Sequence, residues 1–177
     1  DRIQSYTDRN MTHSLFYSRS HEGKSVKDTT IDFNWDKCEA QYGRKGETTK
    51  RGPLAIPEGT FDPLSVFFAF RMHELKEGGE IINIPVTDGK KTAIGRLYVI
   101  KKEDIKVNGI NYETFLVEPE LGDIGGVFEK SKDAKLQIWV TADMRRIPVR
   151  IKSKVVVGSF VAELISYKEG EISENST

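Results

Sequence analysis

Phe61-Asp62-Pro63-Leu64-Ser65-Val66-Phe67-Phe68-Ala69-Phe70-Arg71-Met72-His73-Glu74-Leu75-Lys76-Glu77-Gly78-Gly79 is the one long helical signal in a chain that otherwise reads as strands and turns. Asp62 suits the N-cap, because its carboxylate can accept from an orphaned N–H of the first turn. Pro63 suits the first helical position, where its missing N–H costs nothing. Phe61 and Val66 are placed to close as a hydrophobic staple, and Gly78-Gly79 is the stop signal. Apolar residues cover most of the circumference: Leu64, Phe67, Phe68, Met72 and Leu75 on one side, Val66, Ala69 and Phe70 on the other. A helix apolar nearly all round is a buried helix. The expectation is a helix over about 63–76 with a sheet wrapped around it.

The flanking sequence supplies the sheet. Residues 1–6 and Ser14 to Ser18 read as strands, with His21 to Lys24 as a turn. From Val26 to Trp35 the chain alternates, with Ile31, Phe33 and Trp35 facing one way and Asp28, Thr30, Asp32 and Asn34 the other, the period of a half-buried antiparallel strand. Cys38, Ala40 and Tyr42 continue on a partner strand, and Gly43 to Gly52 reads as a charged loop. After the helix, Glu80 to Val86 and Thr92 to Lys101 flank the turn Thr87-Asp88-Gly89-Lys90. Asn108-Gly109 is a strong hairpin signal before Ile110 to Glu118. Gly122, Gly125 and Gly126 mark a sharply turning loop. Lys135 to Thr141 and Ile147 to Val157 flank the hairpin Ala142 to Arg146, Gly158 bends the chain, and Ser159 to Tyr167 is the last strand. About nine antiparallel strands joined by short turns predict an all-β fold, a curled sheet or open β-barrel plugged by the helix. It forms a single domain over residues 1–167, followed by a polar tail, 168–177.

Composition limits function by exclusion. The 27 basic and 27 acidic residues of the 177 cancel, so no global attraction to nucleic acid is expected. No apolar run approaches the roughly 20 residues of a membrane span, so an integral membrane protein is not expected. Asp1 is not a native start, so the chain is read as processed or cut. The lone Cys38 cannot form an internal disulfide and reads as a half-buried strand residue. His13, His21 and His73 are scattered without metal spacing, and neither a metal site nor a cofactor is expected. Phosphate loops and Gly-x-Ser-x-Gly elbows are missing. The pairs Glu103-Asp104 and Glu118 with Glu120 read as solvated charges rather than a hydrolytic dyad.

Three positions carry more interest. Arg71, set among Phe67, Phe68, Phe70 and Met72, must be paired if buried, either structurally to a carboxylate or carbonyls, or as a ligand clamp. Trp139 is either second-face core or the wall of a pocket. Arg145-Arg146 reads as a hairpin tip able to clamp an anion bidentately. Bulky groups on both faces of several strands point to a cavity between helix and sheet. Its candidate ligand-binding residues are Phe67, Phe70, Arg71, Trp139 and Arg146.

The strings Phe61 to Ser65, Pro85-Val86-Thr87-Asp88-Gly89-Lys90-Lys91, Val117-Glu118-Pro119, and Ile138 to Asp143 with Arg146-Ile147-Pro148-Val149 together resemble a family of exported bacterial proteins known as domain of unknown function 3108. The likeness runs from about Asp1 to Leu164. The resemblance implies a barrel-like fold and a Gram-negative periplasmic or exported location, membrane association included. It also implies that an N-terminal part of the family domain is lacking here. It supplies no catalytic residues. The resulting expectation is a non-enzymatic protein binding an apolar or amphipathic envelope ligand, a lipid or glycan precursor, or serving in envelope assembly with a protein partner. The rivals are a glycan hydrolase and a structural scaffold.

Overall fold

The computed structural model describes residues 2–20, 28–45, 51–77, 81–120, 135–154 and 158–168. Eleven strands and one helix are described. β1 (Arg2–Thr7), β2 (Ser14–Ser20), β3 (Thr29–Asn34), β4 (Glu39–Arg44) and β5 (Leu54–Ala55) form a five-stranded antiparallel meander. α1 (Ser65–Met72) follows. Then β6 (Ile81–Thr87), β7 (Thr92–Val107), β8 (Ile110–Glu120), β9 (Lys135–Thr141), β10 (Pro148–Lys154) and β11 (Ser159–Glu163) form a six-stranded one. The fold is all-β with antiparallel sheets, as expected. The two sheets do not close into a barrel.

Turn chemistry sets the pairing. Asn108 and Gly109 both take positive φ, 47° and 85°, the geometry that lets a two-residue loop match the twist of β7 and β8. Gly89 takes φ 78° in the β6–β7 turn, where a Cβ would lie 3.2 Å from Ile31 and Tyr42 of the other sheet. Cys38 is half-buried, but it occupies the turn between β3 and β4 at φ 51° rather than a strand. His21 to Lys24, Gly78-Gly79 and the glycines at 122, 125 and 126 lie outside the described residues, as does most of the polar tail.

The segment leading into α1 joins the sheets. Ser14 N of β2 donates to Thr60 O at 3.1 Å, while Phe61 N donates to Pro85 O and Thr87 N to Phe61 O, both at 2.9 Å. Phe61 thus makes a short parallel bridge to β6. Its ring enters the core of the six-stranded sheet with Val66, Ala69, Phe70, Ile82, Ile84, Val86, Leu97 and Val99. Leu64, three residues on, packs instead on the other core, with Tyr17, Ile31, Ala40 and Ile56.

The helix is shorter and less enclosed than its apolar circumference predicts. It ends at Met72, not near 76, and buries only Ser65, Val66, Ala69 and Phe70. Phe68 and Met72 are 48% and 65% exposed. One sheet covers one face of a helix, and nothing described covers the other.

Two bulges explain part of the occurrence of bulky residues on both faces of strands. At Ile100 the β7–β8 register shifts, so Leu97 and Val99 face the helix while Ile105 and Val107 join a second cluster with Leu116, Trp139 and Val149. β10 shifts likewise between Pro148 and Arg150. A bulge adds one residue to one strand and so reverses its facing. Part of the apolar surplus is therefore a small outer core, and part, Ile94 and Ile100, is simply exposed.

Candidate functional site

Apolar side chains from four adjacent strands form a floor facing α1. Val99 pairs with Val117, Val117 with Ile138, and Ile138 with Ile151, so one row crosses β7, β8, β9 and β10. The helix lies over part of this row and leaves a cleft of about 220 Å³. Leu64, Phe67, Phe68, Phe70 and Leu75 form its roof, and Leu97, Val117, Ile138, Val140, Pro148 and Ile151 its floor. Among the lining residues, Arg71 and Arg146 carry the only charges.

Those two arginines dock the helix on the β9–β10 hairpin. Arg71 Nη2 donates to Arg145 O at 2.7 Å, and Arg146 Nη1 donates back to Arg71 O at 2.9 Å and to Met144 O at 3.1 Å. Asp143 organises the hairpin tip. Its carboxylate accepts from the Thr141 hydroxyl at 2.6 Å and from Arg145 N, Nε and Nη2. The Thr141 hydroxyl, outweighing burial and joined by Arg145, holds the Asp143 carboxyl below its ordinary value. Arg145 is thereby neutralised, and Arg146, at φ 45°, is turned toward the helix. Arg71 and Arg146 meet backbone carbonyls but, among the described residues, no carboxylate, and Arg71 Nε is buried without a partner. The expected carboxylate or set of several carbonyls for Arg71 is thus reduced to a single carbonyl.

Of the five residues singled out from the sequence, Phe67, Phe70, Arg71 and Arg146 converge on this cleft. Trp139 does not. Ile138 and Val140 of β9 face the cleft, so Trp139 between them points to the other side. There its indole N–H donates to Glu103 Oε1 at 2.9 Å and the Arg150 guanidinium lies over its ring, 5.9 Å from the centroid. Ile138, Val140 and Ile151 are among the cleft residues that sequence reading missed, with Leu64, Phe68, Leu75, Leu97, Val117 and Pro148. Their alternation was visible, but only the register brings them into one row.

A second, more polar groove of about 360 Å³ lies on the outer face beside Tyr112, Glu113, Asp143, Arg145 and Tyr167. Its acids are engaged: Glu113 pairs with Lys102 at 2.7 Å, and Asp143 with Thr141 and Arg145. Among the described residues no group of three or more His, Cys, Asp or Glu side chains could hold a metal ion. His13 packs on Trp35, and His73 is exposed just past the helix.

Neither the curated proteins nor the solved structures offer a match to the chain. A family model does: the one described as protein of unknown function, DUF3108, matches residues 1–165, and the chain belongs to that family.

Proposed function

We propose that this protein is a non-enzymatic carrier of an amphipathic ligand with an anionic head group, its apolar part in the cleft and its head at Arg71 and Arg146. The observation that carries the reading is the pairing of an apolar cleft with two guanidiniums that no acid among the described residues neutralises. Apolar pockets with a few convergent polar groups are the usual form of small-molecule sites. A closed apolar cavity of roughly 150 Å³ suffices for benzene, so about 220 Å³ with an open mouth accommodates part of an acyl chain. Guanidiniums bind phosphate or carboxylate through paired N–H groups, and here that bond would satisfy Arg71 Nε. A periplasmic or otherwise exported setting, with a lipid or glycan precursor of the envelope as ligand, belongs to the same proposal. It rests on the resemblance of the sequence strings.

The hydrolase reading needs a protonated acid opposite a carboxylate. The cleft offers neither, and Asp143 in the outer groove is held in the ionised form. This favours a carrier.

Calorimetric titration with dodecyl phosphate, and with dodecyltrimethylammonium as the cationic control, tests the proposal. Saturable binding of the phosphate alone is expected. Ile151→Trp, which fills the cleft, abolishes it, and Arg146→Gln weakens it about tenfold or more, the worth of one bond to a charged group. No saturable binding by the wild type overturns the reading.

A further inference from the structure

The cleft mouth carries exposed apolar side chains that no described contact explains. Phe68 and Met72, one turn apart on α1, share a helix face, and Met144 tips the β9–β10 hairpin at 88% exposure. The hairpin's Arg145 O and Arg146 Nη1 both bond to Arg71, so the three apolar groups ring one basic mouth. We propose that this rim docks on a lipid bilayer bearing anionic head groups, and that the cleft draws its ligand from there. The second half rests on the carrier reading above.

Three observations favour a bilayer as the occupant. Methionine and phenylalanine with aliphatic-stemmed arginines between them are the composition of an interfacial anchor, in which apolar tips enter the acyl boundary and guanidiniums stay among the head groups. The attraction is local: the chain's formal net charge is zero, whereas Arg71 and Arg146 face no acid among the described residues. The apolar groups stand on two separate projections flanking an open cleft, a shape that a fluid surface follows and a rigid protein face does not.

Flotation with vesicles of phosphatidylcholine alone, and of equal parts phosphatidylcholine and phosphatidylglycerol, tests this. The wild-type chain is expected to float with the mixed vesicles only, and to be released by raised salt. Met72→Ser with Met144→Ser is expected to lower partition about tenfold or more per methionine, the loss of a buried apolar side chain. Arg146→Gln lowers it about fivefold, as for one basic group at an anionic surface. Neither methionine lines the cleft, so the double variant keeps its affinity for dodecyl phosphate in solution, and circular dichroism verifies its fold. A wild-type chain that stays in the lipid-free fraction, or a double variant that floats like the wild type, overturns the docking surface. Loss of dodecyl phosphate binding by the wild type with flotation intact removes the carrier reading instead.

Discussion

Asp62 gathers five hydrogen bonds on its carboxylate at the start of the helix. It is fully buried, and its neighbours are neutral donors: Ser5, Ser14 and Ser65 hydroxyls on Oδ2 at 2.5–2.6 Å, and Leu64 and Ser65 N–H on Oδ1 at 2.8 and 3.0 Å. Each hydroxyl has one proton, so with all three given to Asp62 the 2.7 Å approach of the Ser14 and Ser65 oxygens carries no further bond. The carboxylate does cap the helix, from just outside its regular turns, and ties it to β1 and β2. Asp62→Ala is expected to cost roughly 3 kcal/mol or more, because it leaves buried hydroxyl and N–H donors without their acceptor at about 1–3 kcal/mol each. Asp62→Asn should cost less, since the hydroxyls can rotate to accept from an amide; urea unfolding separates the two. Nearby, Tyr17 Oη is buried without a partner, and burial, then the Asp62 charge, raises the Tyr17 pKa against a small opposing effect of Arg19. A raised folded value means this contribution is intact below the ordinary 10.0 and is lost as pH rises through the folded value. Tyr17→Phe should therefore be neutral or stabilising at neutral pH and should shift alkaline unfolding upward.

At the scale of elements, the helix owes its place to one face. Phe70, 3% exposed in the core, should cost about 3–5 kcal/mol on truncation to Ala. Phe68→Ala should cost under about 1 kcal/mol, as for surface positions, because its ring is 48% exposed. Equal losses in chemical denaturation would mean that the second face is covered in solution. The β6–β7 turn makes a different demand. It reaches the other sheet, where Lys90 Nζ sits 4.6 Å from the centre of the Tyr42 ring and Gly89 fits against Ile31 and Tyr42. Gly89→Ala forces a side chain into the left-handed region, about 1–3 kcal/mol, and also into that contact. Gly109→Ala, left-handed but with nothing near its Cβ, should bear only the first cost. Thermal unfolding of the two variants isolates the contribution of the inter-sheet contact.

At the scale of the molecule, the segment 60–66 joins the two antiparallel sheets and serves both cores, and the Gly89 turn adds a second contact between them. Each sheet holds one tryptophan: Trp35 in the β3–β4 turn and Trp139 in β9. In single-tryptophan variants, Trp35→Phe and Trp139→Phe, the two fluorescence transitions in urea should coincide, the mark of a cooperative unit. Adding Asp62→Ala should separate them, the five-stranded sheet melting first, since it has the smaller core and loses the anchors at Ser5 and Ser14. Transitions that remain coincident in that variant would locate the coupling elsewhere, at the Gly89 turn.

The strands and turns were legible in the sequence because they depend on local physics. Alternation gave β3, Asn108-Gly109 and Asp88-Gly89 gave their turns, and Asp62-Pro63 placed the start of the helix two residues early, since its regular turns begin at Ser65. Arg71 also stood out, since a charge among apolar neighbours is anomalous wherever the chain folds, and Arg146 stood out as half of a two-arginine hairpin tip. The extent of α1 was not legible, because an apolar circumference cannot state how many faces a neighbour will cover. Nor was the direction of Trp139 relative to the helix. Bulges at Ile100 and beside Pro148 reverse the facing of residues along a strand, and a bulge is a property of two paired strands, not of either alone. The cleft exists only after pairing has aligned Val117, Ile138 and Ile151 under a helix docked by reciprocal backbone bonds. Local sequence chose the elements, and register and docking, which join residues far apart in the chain, made the site.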